Sequence, residues 1–143
     1  MEISPLIDIL DSENCSCVIA NGNIVKRFYR RGVTDLLQIL KSEQSLLAGA
    51  AIADKVIGKG AAAIMILGGA RHVYGRIISQ SALTLLGTSS VTVTYDKCVP
   101  AIINRAGTGI CPVETLCKDC KTAADCLPLI ETFVAGQSDH QQS

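Results

Sequence analysis

The sequence predicts an α/β protein with a mixed sheet and helices on both of its faces. Three observations lead there. Two short runs, residues 15–20 and 23–29, are joined by Asn21-Gly22, a dipeptide that tolerates the positive φ angles of a type I′ hairpin turn. Further along, strand-like alternation and helix-like spacing succeed each other, giving strand–helix–strand units. Hydrophobic residues make up 48% of the chain but aromatics only 3%, with no Trp, so the core must be closely packed layers of Ala, Ile, Leu and Val. A length of 143 residues fits one domain that can bury such a core without staples.

Residues 1–13 read as a short amphipathic lead-in, with Leu6, Ile7, Ile9 and Leu10 apolar. In the first hairpin strand Cys15 and Cys17 flank Ser16, which puts both thiols on one face. Gly32 breaks the chain. Thr34 then caps a helix to about Lys41, with Val33, Leu36, Leu37 and Leu40 on one side. Residues 41–44 form a polar connector, and residues 46–53 a short strand or extended loop. Asp54 suits the N-cap of a single buried helix from Lys55 to Leu67, rich in Ala and stopped by Gly68-Gly69. Gly58 and Gly60 oppose that helix by about 1 kcal/mol each. His72–Ile78 reads as a strand. Ser79 or Ser81 caps a helix over Ala82–Leu86 that Gly87 ends. Val91–Tyr95 alternates as a strand. Pro100 separates it from a short edge strand, Ala101–Asn104. A Gly-rich turn, residues 105–109, leads to a helix opened by Pro112 and a further segment over Ala124–Val134. The domain is expected to span residues 1–135, with a polar, disordered tail over 136–143.

Charge and composition narrow the function. Lys plus Arg and Asp plus Glu both number 13, so no basic field attracts nucleic acid, and few rings are present to stack bases. The run Lys26-Arg27, Arg30-Arg31 reads as a solvated strand end. The N-terminus lacks the charge and apolar pattern of a signal peptide. The stretch Ala61–Ala70 is too short to span a bilayer. A cytoplasmic protein without a membrane partner is expected. An odd count of seven cysteines then favours free thiols or metal ligands over a disulfide framework.

Two segments carry a resemblance. Ala53-Asp54-Lys55-Val56-Ile57-Gly58-Lys59-Gly60-Ala61-Ala62-Ala63, and Ile103-Asn104-Arg105 through Cys111-Pro112-Val113-Glu114, resemble an uncharacterised bacterial family with a cytidine-deaminase-like fold and no settled activity. The resemblance covers about Cys15 to Val134 and implies a three-layer α-β-α sandwich. In zinc deaminases a His-x-Glu or Cys-x-Glu motif opens one core helix and Pro-Cys-x-x-Cys the next. Here the corresponding starts would hold Asp54-Lys55-Val56 and Ser79-Gln80-Ser81-Ala82, without those ligands. Zinc-dependent deamination is therefore not expected.

Two converging helix N-termini would still suit an anion. The expected ligand is nucleotide-like or another small anion, held by Asp54, Lys55, Lys59, Ser79, Ser81, Asn104, Arg105 and Glu114. A different reading rests on Cys111, Cys117, Cys120 and Cys126, four thiols within sixteen residues, as ligands of Zn or an iron–sulfur cluster in a redox protein. Cys117-x-x-Cys120 is also compatible with a redox-active pair, or with plain core thiols. A third reading is a structural scaffold that assembles as a homo-oligomer.

Overall fold

The computed structural model describes residues 2–30, 32–104 and 106–142, with side chains through residue 136. The hairpin forms as β1 (Cys17–Asn21) and β2 (Ile24–Phe28), with Asn21 opposite Ile24. The two turn residues are therefore Gly22 and Asn23, one step beyond the expected pair. Gly22 has φ 60° and Asn23 is not in the positive-φ region. Glycine at the first turn position is the type II′ pattern rather than I′.

The single helix expected over residues 55–67 is instead two elements. β3 runs Ala51–Ile57, and α4 runs Lys59–Gly68 from Gly58 as N-cap, at φ −93° and ψ 178°. β-branched Val56-Ile57 suit a strand buried between neighbours, and the Ala run keeps its helical form only after Gly58. Asp54 is thus a strand residue, paired with Cys17, and caps no helix.

β3 pairs β1 antiparallel on one side and β4 (His72–Ser79) parallel on the other. β4 pairs β5 (Thr92–Val99) parallel, and the sheet order is β2-β1-β3-β4-β5. β5 extends four residues past the expected Tyr95. Residues 101–104 form no edge strand; among the described residues Ile103 makes an isolated antiparallel bridge to Ile110.

Helices cover both faces, giving three layers. α1 (Ile3–Ser12) buries Leu6 and Leu10, one helical turn apart, against Val18, Ala20, Ala51, Ala53 and Tyr74. The opposite layer centres on α4, whose Ala61, Ala62, Ala63, Ile64 and Met65 are all buried. Around it pack α2 (Thr34–Ser42), α5 (Gln80–Gly87), α6 (Pro112–Cys117) and α7 (Ala123–Gln142), while the short α3 (Gln44–Leu47) leads towards β3. Small side chains on α4 let these neighbours come close: a Cβ on Gly60 would stand 2.3 Å from Cγ1 of Val113, and one on Gly68 2.6 Å from Leu47. Alternation along β1 sends Val18 and Ala20 to the α1 side and Cys17 and Ile19 to the α4 side. Cys15 joins the α1 side and does not share a face with Cys17. The strand begins only at Cys17, after a left-handed Asn14 (φ 52°) turns the chain. The helical backbone of α7 continues to Gln142, across residues expected to be a disordered tail. Among the described residues no helix is long and apolar enough to cross a membrane.

Candidate functional site

In open α/β sheets the carboxyl ends of parallel strands, where the following helices start, form natural crevices. Here β3 hands over to α4, and β4 to α5, side by side. A cavity of about 820 Å³ opens beside these junctions. Its walls come from Cys17, Phe28, Arg30, Val33, Asp35, Asp54, Lys55, Ile102, Asn104, Cys111, Glu114 and Phe133. Of the eight ligand residues expected, Asp54, Lys55, Asn104 and Glu114 line it. Lys59, Ser79 and Ser81 do not, and Arg105 lies outside the described residues.

Glu114 explains the difference. It is only 7% exposed and reaches both helix starts. Its Oε1 accepts the backbone N–H of Lys59 at 2.6 Å and the Ser79 hydroxyl at 2.9 Å. The Ser81 hydroxyl lies 3.4 Å from the same oxygen, and Oε2 accepts the N–H of Ile102 at 3.4 Å. Ser79 in turn caps α5, its Oγ accepting the N–H of Ala82 at 3.1 Å. No side chain of its own N-cap residue closes α4, so Glu114 serves that end from 55 residues away. A carboxylate at converging N–H donors is a charge-assisted arrangement that the helix dipoles favour. The negative charge expected from a ligand at these helix starts is supplied by the chain itself. Ser79 and Ser81 face Glu114 in the structure. Lys59 sends its ammonium group the other way, to the carbonyl oxygens of Lys118 at 3.1 Å and Cys120 at 2.6 Å, beyond the end of α6.

Asp54 is the cavity wall's other buried carboxyl, 8% exposed. Burial pushes its pKa up to about 7, although the backbone N–H groups of Val56 and Lys55 pull the other way. The Val56 N–H donates to Oδ1 at 3.3 Å. Cys17 sits across the β1–β3 ladder, and burial, followed by the charges of Asp54 and Asp35, holds its thiol well above the ordinary range. Arg30 pairs with Asp35, its Nε donating at 3.2 Å. The Lys55 ammonium group binds the side-chain oxygen of Asn14. Asn104 braces its own turn: Oδ1 accepts the Thr108 N–H at 3.1 Å and Nδ2 donates to Thr108 Oγ1 at 3.3 Å. Among the described residues the cavity wall is therefore acidic and apolar, and its two cations, Arg30 and Lys55, are already engaged.

Cys17, Arg30 and Asp35 are cavity residues that sequence reasoning misses. Their place follows from the β1–β3 pairing, which is hidden while residues 55–57 are read as helix. Val56-Ile57-Gly58, a β-branched pair ahead of glycine, was the available signal.

The four cysteines of the alternative metal reading lie in two places. Cys111 lines the cavity, whereas Cys117 and Cys126 are buried in the α4-side core and Cys120 is half-buried beside them. Burial raises the thiol pKa of Cys117 and Cys126, favouring protonated sulfur. Among the described residues no group of three or more His, Cys, Asp or Glu side chains is arranged to hold a metal ion.

These features define a three-layer α/β protein with an acid-lined cavity where two core helices begin. The chain belongs to the family described as "TM1506: Domain of unknown function (DUF1893)", which matches residues 5–134. The crystal structure of a DUF1893 family protein (TM1506) from Thermotoga maritima, at 2.70 Å resolution, is similar, with a TM-score of 0.82. It shares 21% sequence identity, over 90% of this chain and 86% of that one, and at this distance the likeness speaks for the fold. No curated protein matches the sequence.

Proposed function

We propose that the cavity binds a small hydrogen-bonding heterocycle of the nucleobase or nucleoside kind, with Asp54 as the group that reads it. The observation that carries this reading is a buried carboxyl on the cavity wall whose pKa, about 7, leaves it free to be neutral or charged near neutrality. A neutral carboxylic acid offers one donor and one acceptor side by side, the complement of an amide or amidine edge on a base. Phe28, Val33, Ile102 and Phe133 supply apolar walls for a flat ring. The cytidine-deaminase-like fold implied by the sequence resemblance supports the same ligand class.

The nucleotide reading changes in one respect. A phosphate placed at the helix starts would meet Glu114 rather than free N–H groups. Base and sugar are accordingly favoured inside, with any phosphate directed to the rim. The donor set at those helix starts, two serine hydroxyls, backbone N–H groups and one carboxylate, does not fit a zinc ion of the deaminase type, which needs His and Cys. No metal-activated water forms part of the proposal.

Isothermal titration of nucleobases, nucleosides and nucleoside monophosphates at pH 6 and pH 8 tests it. Nucleosides should bind in preference to monophosphates, and Asp54→Ala, which removes both the donor and the acceptor, should weaken binding at least about tenfold, the value of one good hydrogen bond to a charged or acidic group. An absence of heat with every compound at millimolar concentration, at both pH values, overturns the proposal.

A further inference from the structure

One side-chain amide links the first hairpin to the segment between α3 and β3. Asn21, the last residue of β1, donates from Nδ2 to three backbone carbonyl oxygens, those of Ser45 at 3.1 Å, Leu46 at 3.0 Å and Ala48 at 2.8 Å. They lie at the end of α3 and just past it, where a helix leaves its carbonyls without intrahelical donors. Nδ2 only donates, so the place suits an amide and not an acid. The next residue is Gly22, at φ 60°. The chain has asparagines at positions 14, 21, 23 and 104, and Asn21 alone precedes a glycine. A following residue without a Cβ leaves its backbone nitrogen open to approach the side-chain amide.

We infer that Asn21 is a deamidation site, held shut by its three carbonyl partners, that opens when the hairpin leaves α3 and whose conversion bars the chain from refolding. With the hairpin free, the Gly22 backbone nitrogen attacks Cγ of Asn21. An N–C bond forms, the Cγ–Nδ2 bond breaks, and the amide nitrogen leaves as ammonia with the proton of the Gly22 nitrogen. Water then opens the cyclic imide at either carbonyl. The products are Asp, or isoaspartate in which the chain runs through Cγ. The net change is water gained and ammonia released, with nothing oxidised or reduced. In the folded chain the same attack requires Nδ2 to abandon its three acceptors and the amide to swing onto residue 22. The product no longer fits. A carboxylate accepts but does not donate, and it would aim a negative charge at three carbonyl oxygens. Isoaspartate also lengthens the backbone at the position paired with Ile24, which disturbs the β1–β2 register. The cavity and its proposed ligand take no part.

The test holds the full chain at pH 8 in buffer and in urea and follows each asparagine by tryptic mass spectrometry. Lys26 closes the peptide that starts at Met1 and carries Asn14, Asn21 and Asn23, and fragmentation tells the three apart. An isoaspartyl carboxyl methyltransferase with labelled S-adenosylmethionine reads the isoaspartate fraction. Conversion at Asn21 should be at least about tenfold slower in buffer than in urea, because it waits on local opening. After urea is removed, unconverted molecules should refold and converted ones should not. Asn21→Asp should be less stable than Asn21→Ala, which loses the same hydrogen bonds without gaining a charge. The rate comparison on the unaltered chain decides if neither variant folds. Equal rates in buffer and urea, faster conversion at Asn14 or Asn23 in urea, refolding of converted molecules, or an Asn21→Asp chain no less stable than Asn21→Ala overturns the inference.

Discussion

Asp54 ties stability to pH through a single proton. Its folded pKa, about 7, lies above the ordinary value of 3.8, so the folded chain holds the proton more tightly than the unfolded one. The resulting stabilisation is complete below about pH 4 and is lost as pH rises to about 7. The difference between these two values corresponds to on the order of 4 kcal/mol. Asp54→Asn has no such proton. Urea denaturation from pH 4.5 to pH 8 should show the variant gaining on the wild type as pH rises; a difference that stays flat would place the proton elsewhere. Glu114 acts through geometry. Glu114→Ala strips the acceptor from the Lys59 and Ile102 N–H groups and the Ser79 hydroxyl, and should cost about 3 kcal/mol or more. Glu114→Gln keeps one oxygen and should cost about half as much in the same measurement, so equal losses would argue against the hydrogen-bonded role. Both residues stood out in the sequence as carboxylates near helix starts. What each does was not legible, because Asp54 ahead of Lys55 has the local look of an N-cap and Glu114 finds Lys59 only in the folded chain.

Among the elements, α4 shows where local rules suffice and where they stop. Its Ala run and the Gly68-Gly69 ending mark it plainly, and Gly69 does adopt the left-handed C-cap at φ 83°. Its beginning was misplaced by four residues because helix propensity says nothing about sheet pairing, and residues 51–57 become a strand through β1 and β4 on either side. Ser79 as the cap of α5, by contrast, needed only its own neighbours and was legible. Gly60 belongs to packing rather than propensity. Ala is the better helix former by about 1 kcal/mol, yet a Cβ there would collide with the stiff Val113 side chain on α6. Gly60→Ala should therefore destabilise by about 1–3 kcal/mol. The double variant Gly60→Ala, Val113→Ala should lose less than the sum of its parts in thermal unfolding. A neutral Gly60→Ala would mean that α6 sits less tightly on α4.

For the molecule as a whole, a mixed sheet with helices on both faces followed from the hairpin and the alternating segments, and the observed order β2-β1-β3-β4-β5 accords with it. The cavity was foreseen only in part, since its acidic character depends on β1 meeting β3. The same long-range dependence makes a prediction about truncation. A chain ending at Ile110 keeps all five strands but loses Glu114, α6 and α7, leaving the apolar flank of α4 bare. It should unfold without a cooperative urea transition; a sharp transition would show that the sheet with α1, α2, α4 and α5 stands alone.

The link between residues 59 and 114 also has a meaning in time. A ribosome adding 5–20 residues each second needs roughly 3 to 11 s to travel that interval. Throughout it, α4 has emerged with an unclosed N-terminus and an apolar circumference awaiting α6 and α7. For those seconds the start of α4 lacks the carboxylate that closes it in the folded chain, and its apolar flank is covered only later still, when α7 has followed.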